Sequence, residues 1–207
     1  MKTRNKVLLT LVCAVALVAG SVLGTYAYLT SQDTVTNTFT VGKVEITLDE
    51  AKVNEYGKLL DANDKADGEA GFDAANLATR VEKNEYKLIP GHTYVKDPTI
   101  NIADGSEACW LFVKIENGLA PNAVINGLDT NGWTQIESSN YWAYKGATVG
   151  ANSKVKVFDT FTYAYTVTDT TLDAAKEIVV TAYAIQADGF ATSELAWAAL
   201  ATQAGLH

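Results

Sequence analysis

Short runs in which apolar and polar side chains alternate recur along most of this chain. The alternation is clear on both sides of Gly42, where the apolar positions are Val35, Phe39 and Val41 on one parity and Val44, Ile46 and Leu48 on the other. Because successive side chains of a strand point to opposite faces, this pattern indicates strands with one buried face. The change of parity at Gly42-Lys43 predicts a bulge or a sharp bend between two strand segments.

The rest of the chain repeats this pattern between turns rich in Gly, Asn and Asp. Further strands are predicted at Tyr94–Ile102, Cys109–Glu116, Thr134–Ile136, Tyr141–Tyr144, Lys154–Phe158, Thr160–Val167 and Ile178–Ala187. The last of these is apolar on both faces, which predicts a central, covered strand. Together the runs predict a mostly β fold, a jelly-roll-like antiparallel β-sandwich with short peripheral helices.

Two stretches depart from the strand pattern. Residues 51–87 are polar and rich in Ala, Asp and Glu, and we interpret them as an excursion from the sandwich. Within it, Asp73–Tyr86 is compatible with a helix that has Asp73 as its N-cap. Residues 193–203 are rich in Ala and Leu and predict a C-terminal helix that covers one end of the sheets.

The N-terminus has the form of an export signal. Three basic residues precede the apolar run Val7–Val18, and the small residues that follow lead to Thr25-Tyr26-Ala27. This order predicts a signal peptide at 1–27, with cleavage between Ala27 and Tyr28. A run of this length is short of the ~20 residues that span a bilayer, although the addition of Ala19–Leu23 leaves an uncleaved anchor as the alternative. The mature chain is then a single domain, 28–207, that begins with an extended arm at 28–41.

Charge and cysteine content restrict the partners and the compartment. The predicted mature chain keeps 13 Lys and Arg against 24 Asp and Glu, a formal charge of −11. Nucleic acid and anionic lipid both need a basic surface, so neither is expected as a partner, and contact with a membrane is expected only during export. Cys109 is the single mature cysteine, which excludes an intramolecular disulfide and suits a Gram-positive type of cell surface. Its apolar neighbours predict a buried core thiol.

The sequence offers weak support for enzymatic or ligand-binding sites. His92 is the only histidine besides the last residue, there is no HExxH, and we interpret His92 as a solvated turn residue. The acidic loop at 61–69 has oxygen ligands but places Lys65 where a calcium loop carries Asp or Asn, which favours a solvated loop. Trp133, Tyr141, Trp142 and Tyr144 are compatible with a sugar-stacking platform, although core and rim positions are favoured. No cofactor is expected.

One turn and the strand after it carry a family resemblance. The segment Leu88–Pro98 contains Pro90-Gly91, which predicts a type II turn, followed by Lys96-Asp97. Together with Ala27-Tyr28, the run Asn37–Gly42 and the run Gln186–Phe190, it resembles the TasA/camelysin family of exported matrix proteins. The resemblance covers roughly residues 5–48, 88–116 and the last strand. Between 117 and 175 only the strand character matches.

The resemblance implies a secreted structural subunit of extracellular biofilm-matrix fibres, released by a dedicated signal peptidase. In such fibres the N-terminal segment of one subunit completes the sheet of the next, so Val35, Phe39 and Val41 are the expected anchors of a donor strand. The expected partners are further copies of the chain and other matrix proteins. Pairing of the arm within its own subunit remains an open alternative. A camelysin-type secreted metalloendopeptidase and a carbohydrate-binding surface adhesin are the alternative functions.

Overall fold

A computed structural model describes residues 43–206 except 146, 170–172, 174 and 175. These residues belong to one compact unit, Val41–His207. The predicted signal peptide and the cleavage site at Ala27 and Tyr28 lie outside the described residues. So do the predicted anchors Val35, Phe39 and Val41, and these predictions therefore stay predictions.

The described residues form ten strands and one helix. In chain order these are β1 (Ile46–Asp49), β2 (Thr93–Val95), β3 (Thr99–Ile102), β4 (Cys109–Asn117), β5 (Ala123–Asn126), β6 (Trp133–Gln135), β7 (Tyr141–Tyr144), β8 (Lys154–Lys156), β9 (Thr160–Tyr163), β10 (Ile178–Gln186) and α1 (Ser193–Ala204).

The strands are arranged in three antiparallel sheets. Sheet I has the order β1-β3-β8, sheet II the order β10-β4-β7-β6, and sheet III the order β2-β9-β5. The longest ladder joins β10 to β4 through nine aligned pairs, from Ile178 opposite Asn117 to Gln186 opposite Cys109. The predicted class, a mostly β protein built as an antiparallel sandwich, is confirmed.

The main core lies between sheets I and II. Alternate side chains of β3, β4 and β8 meet there, and Ile100, Cys109 and Val113 are completely buried. The indole of Trp133 closes one side of this core, and its Nε1 donates a 2.9 Å hydrogen bond to the carbonyl oxygen of Lys156. The alternation in the sequence is therefore the pattern of a two-layer core, in which every second side chain is removed from water.

The predicted C-terminal helix is present as α1, but it lies on the other face of sheet II and not over one end of the sheets. Ala196 and Leu200 pack against the buried Phe112 of β4. The Oγ1 of Thr192 accepts the N–H of Leu195 as an N-cap, and Gly205 ends the helix in the left-handed region at φ 64°. Both faces of sheet II are thus occupied, one by sheet I and one by the helix.

The predicted strand Tyr94–Ile102 is wrong as a single element. It is divided into β2 and β3 at Lys96-Asp97-Pro98, and the two parts belong to different sheets. Pro98 has no N–H for a ladder, which favours a break here. The turn before β2 is as predicted: Gly91 has φ 78°, and the N–H of His92 donates to the carbonyl oxygen of Ile89 at 3.1 Å.

The helix predicted at Asp73–Tyr86 is also wrong. Leu77 and Val81 form isolated antiparallel bridges with Asp61 and Glu50, so neither residue lies in a helix. Buried polar contacts, described below, hold this segment in place and outweigh its weak helical periodicity. A second difference is β5 at Ala123–Asn126, a strand that the sequence analysis missed.

Candidate functional site: a groove between two strand edges

The outer edge of β1 carries no described partner. The N–H of Ala103 donates to the carbonyl oxygen of Glu45 at 2.9 Å, which continues the register of β1 with β3. Because backbone groups alternate in direction along an antiparallel strand, the odd residues of β1 face β3. The N–H and C=O groups of Val44, Ile46 and Leu48 therefore point outward, where β1 pairs with no described strand.

The outer edge of β10 likewise has no partner among the described strands. Hydrogen bonds from Gly118 to Glu177 and from Ala187 to Ala108 continue the β4 register, so the odd residues of β10 face β4. Its even residues point their backbone groups outward. The prediction of a central strand is therefore wrong among the described residues, in which β10 is the outermost strand of sheet II. The strand is apolar on both faces because one face packs against sheet I and the other against α1.

We call the space between these two edges the β1–β10 groove. Its apolar walls are Val44, Ile46 and Leu48 on one side and Ile178, Val180, Ala182 and Ala184 on the other. All of these side chains pack against the main core, but each remains only partly buried. The core between sheets I and II is therefore incompletely covered along this side.

A cavity of about 730 Å³ lies at one end of the groove. Leu48 and Glu50 line it from the β1 side, and Ile178 and Val180 line it from the β10 side. Tyr86 and Phe161, which meet edge to face at 5.3 Å, also contribute to its lining. We call this the lower end of the groove, and the end near Val44 and Ala184 the upper end.

A buried ion pair lies at the lower end. The Nζ of Lys96 is 2.6 Å from Oε2 of Glu50, and their side chains are only 13% and 5% exposed. The other carboxylate oxygen of Glu50 accepts both the backbone and the side-chain N–H of Asn84. Backbone bonds between Glu50 and Val81 close the edge of β1 at this point, which prevents further pairing below Leu48.

Arg80 forms a second polar connection beside the first. Its Nε donates to Oδ1 of Asp49 at 2.5 Å, and its Nη1 donates to Oδ2 of Asp97 at 3.0 Å. Oδ1 of Asp97 also accepts the backbone N–H of Ala51 at 2.7 Å. Lys96 and Asp97, two of the predicted family residues, thus attach the 51–87 excursion to the sheets, whereas Pro90 and Gly91 form the turn before β2.

A third polar group at the cavity is the buried carboxylate of Asp173. It accepts hydrogen bonds from the Tyr163 hydroxyl at 2.6 Å and from Asn122 at 2.8 Å, and Lys176 Nζ lies 2.8 Å away. Lys176, Tyr163 and Asn122, in this order of effect, lower the pKa of Asp173 to about 2. Burial and the adjacent carboxylate raise the pKa of Tyr163 to about 12. At neutral pH the carboxylate is therefore charged and the phenol is neutral.

The other candidate residues have structural surroundings. Cys109 is completely buried, as predicted, and burial raises the pKa of its thiol. Asp61, in the loop considered for calcium, is also buried, and its carboxylate already accepts the backbone N–H groups of Asn63, Lys65 and Asp73. His92 is partly buried rather than fully solvated, and its Nε2 lies 2.9 Å from the carbonyl oxygen of Tyr56.

The aromatic residues occupy core and rim positions, as the sequence analysis favoured. Trp133 is completely buried, Tyr141 is 8% exposed, and Trp142 and Tyr144 are partly buried against the main core. Among the described residues, no group of three His, Cys, Asp or Glu side chains is placed to hold a metal ion. In the same part of the chain, no helix is long and apolar enough to cross a membrane.

No protein-family model matches the chain, and no match is found among curated proteins or among solved structures.

The groove is the feature that the sequence analysis missed. The sequence shows that the last strand is apolar on both faces and therefore needs cover on each of them. It does not show whether the edges of that strand are paired.

Proposed function

We propose that this protein is a secreted, non-enzymatic structural subunit of an extracellular matrix fibre, and that subunits join by strand addition. The observation that carries the proposal is the β1–β10 groove. It combines two free strand edges with apolar side chains that are only partly buried. A strand added to such an edge gains backbone hydrogen bonds from the edge and specificity from alternate side chains.

The arm at 28–41 has the properties of the added strand. Its apolar residues Val35, Phe39 and Val41 share one parity, and Thr34, Thr36, Thr38 and Thr40 alternate with them. Such a strand presents one apolar and one polar face, which suits a groove with a core on one side and water on the other. Addition of the arm of one subunit to the groove of the next is a head-to-tail contact, which generates an open filament.

An exposed apolar strand edge also needs an explanation in its own right. Proteins generally protect long edges with charges, prolines, bulges or a covering segment, because unpaired edges recruit other strands. The apolar positions of β10 in the groove carry no charge, and Val179 on its other face is 41% exposed. An edge of this kind is expected where strand addition is the function.

Assembly of the mature chain, 28–207, tests the proposal. Phe39→Asp places a charge where the largest anchor is expected to enter the groove, whereas Thr38→Asp places the same charge on the opposite face. Burial of the unpaired carboxylate outweighs the ~1.5–3 kcal/mol gained by burying an aromatic ring. We expect filaments of the unmodified chain and of Thr38→Asp in negative-stain images, and monomers of Phe39→Asp that still unfold cooperatively.

Two results would contradict the proposal. If the unmodified mature chain stays monomeric at every concentration, fibre formation is not its function. If Phe39→Asp forms the same filaments as the unmodified chain, subunits join through another surface and the groove has no role in assembly.

A further inference from the structure

We propose that the folded chain joins the side chains of Lys96 and Asn84 by an amide bond, with Glu50 as the proton carrier. The product is an isopeptide bond within one chain, and its formation releases one molecule of ammonia. The proposal is carried by the contacts of these three side chains at the lower end of the groove. It does not depend on the proposed function, because no step involves a second subunit.

The carboxylate of Glu50 holds the two reacting groups together. Its Oε2 lies 2.6 Å from Nζ of Lys96, and its Oε1 accepts a 2.9 Å hydrogen bond from Nδ2 of Asn84. The amine and the amide are therefore bound to the two oxygens of a single carboxylate. Glu50 follows β1, Asn84 belongs to the 51–87 excursion, and Lys96 follows β2, so only the folded chain brings the three together.

Hydrogen bonds fix the orientation of the Asn84 amide. Its Oδ1 accepts the backbone N–H of Val53 at 3.0 Å, and its Nδ2 donates to the carbonyl oxygen of Ala51 at 2.9 Å. A backbone N–H only donates and a carbonyl oxygen only accepts, so the two ends of the amide cannot be exchanged. The leaving nitrogen therefore faces the carboxylate. The amide oxygen has a donor that stabilises the negative charge formed during attack.

Burial favours the reactive form of the pair. Glu50 and Lys96 are largely removed from water, and transfer of one proton from Nζ to Oε2 cancels both buried charges at once. The neutral amine has the free electron pair that an ammonium lacks, so it is the nucleophile. It attacks after Nζ moves from Oε2 to within ~3–3.5 Å of the amide carbon. The cavity that all three residues line gives the ammonia a path out.

The reaction balances without an external reagent. The electron pair of Nζ forms a bond to Cγ of Asn84, and the π electrons of the carbonyl group move to Oδ1. When these electrons return, the bond from Cγ to Nδ2 breaks. Nζ gives up two protons, of which one converts the leaving nitrogen into ammonia and the other stays on Glu50. A buried ion pair is thus replaced by a neutral amide and a neutral carboxylic acid, which removes the cost of keeping two charges out of water.

The bond would attach the excursion to the sheets covalently. It closes a loop from residue 84 to residue 96, which contains the Pro90-Gly91 turn and β2. A cross-link of this kind restricts the unfolded chain, as a disulfide does. The predicted mature chain has a single cysteine and cannot form an internal disulfide, so the isopeptide bond would supply a covalent link that needs no oxidant.

The mass of the purified mature chain, 28–207, tests the proposal directly. We expect an intact mass that is lower by one ammonia than the sequence requires, both before and after unfolding in urea. After digestion with trypsin, residues 84–87, 88–96 and 97–114 should be recovered as one branched peptide, because modified Lys96 is no longer a cleavage site. Ring closure at an asparagine that precedes glycine also releases ammonia, but it joins no peptides.

Conservative substitutions assign the roles of the residues. Lys96→Arg keeps a cation beside Glu50 but replaces the amine with a guanidinium that stays protonated. Glu50→Gln keeps the size of the side chain but removes the group that takes up the proton. Both variants should keep the full mass and give separate tryptic peptides. The control Lys83→Arg changes an exposed lysine and should lose ammonia to the same extent as the unmodified chain.

The unmodified chain gives the decisive result, so a variant that fails to fold leaves the test intact. Full mass and three separate peptides after prolonged incubation of the folded chain would show that the site holds an ion pair only, which overturns the proposal. A branched peptide that links Asn84 to another lysine would overturn the assignment of Lys96. Formation of the bond in Glu50→Gln at an unchanged rate would overturn the role of Glu50 as proton carrier.

Discussion

The two ends of the β1–β10 groove differ in how the edge of β1 is covered. At the lower end the edge of β1 is bridged by Val81 and surrounded by the ion pair of Glu50 with Lys96. At the upper end the same edge carries Val44 and Ile46 with outward backbone groups and no described strand beside them. Within a few residues of one strand, the contacts change from charged and fully paired to apolar and partly exposed.

The difference indicates how a strand edge can be kept for one partner. Charged contacts need a matched partner at a defined position, so they fix the 51–87 excursion and stop any added strand at Leu48. Apolar contacts are less directional and accept any strand of suitable parity. In the proposed function, the lower end limits the register of the added strand, while the upper end provides the surface for binding.

The largest expected effect is at the charged end. Lys96→Ala leaves the carboxylate of Glu50 buried without its cation and should lower the free energy of unfolding by about 3–5 kcal/mol. The matched control is Lys83→Ala, because the pair of Lys83 with Glu177 is exposed and contributes ~0–1 kcal/mol. Urea unfolding followed by tryptophan fluorescence measures both. Equal effects of the two substitutions would show that the lower end is not held by its ion pair.

A smaller effect is expected in the apolar core behind the upper end. Cys109→Ser introduces a hydroxyl among apolar neighbours and should cost about 1–3 kcal/mol in the same unfolding experiment. The native thiol should react with an aromatic disulfide reagent far more slowly than the unfolded thiol, because it is completely buried. Rapid labelling without denaturant would show that the groove opens as far as Cys109.

A third effect concerns Asp173, whose stabilising contribution is complete at neutral pH and is lost only in acid. Its pKa falls from 3.8 to about 2 in the folded chain, so the unfolded chain takes up the proton first. The stabilisation from this carboxylate is complete above about pH 4 and is lost as the pH falls towards 2. Thermal unfolding between pH 2 and 6 should show a weaker acid dependence for Asp173→Asn than for the exposed control Asp67→Asn. The same dependence in both variants would contradict the assigned contacts.

The sequence was sufficient for the features that depend on local periodicity. Alternation identified β4 and β7, the Pro90-Gly91 turn was recognised from two residues, and the helix at 193–203 was predicted to within one residue of its end. The apolar neighbours of Cys109 also predicted its burial. In each case a few adjacent residues determine the result.

The features that failed depend on contacts distant in sequence. The segment predicted as a helix, Asp73–Tyr86, is not helical. Arg80, Val81 and Asn84 instead form hydrogen bonds with residues 49–51 and 97, which are distant in sequence. The position of β10 in its sheet, central or at an edge, depends on which strands pair with it. The residues of β10 alone do not determine that pairing.

The nine-pair ladder between β4 and β10 has a mechanical consequence. Its two strands run antiparallel with every residue from Ile178 to Gln186 in register. A pulling force along the strand direction would load all of these pairs in shear, so that they must break together, whereas a force across the strands would break them one after another. If neighbouring subunits pull on a strand that lies beside β10, tension along the filament acts in the direction in which this sheet is most resistant.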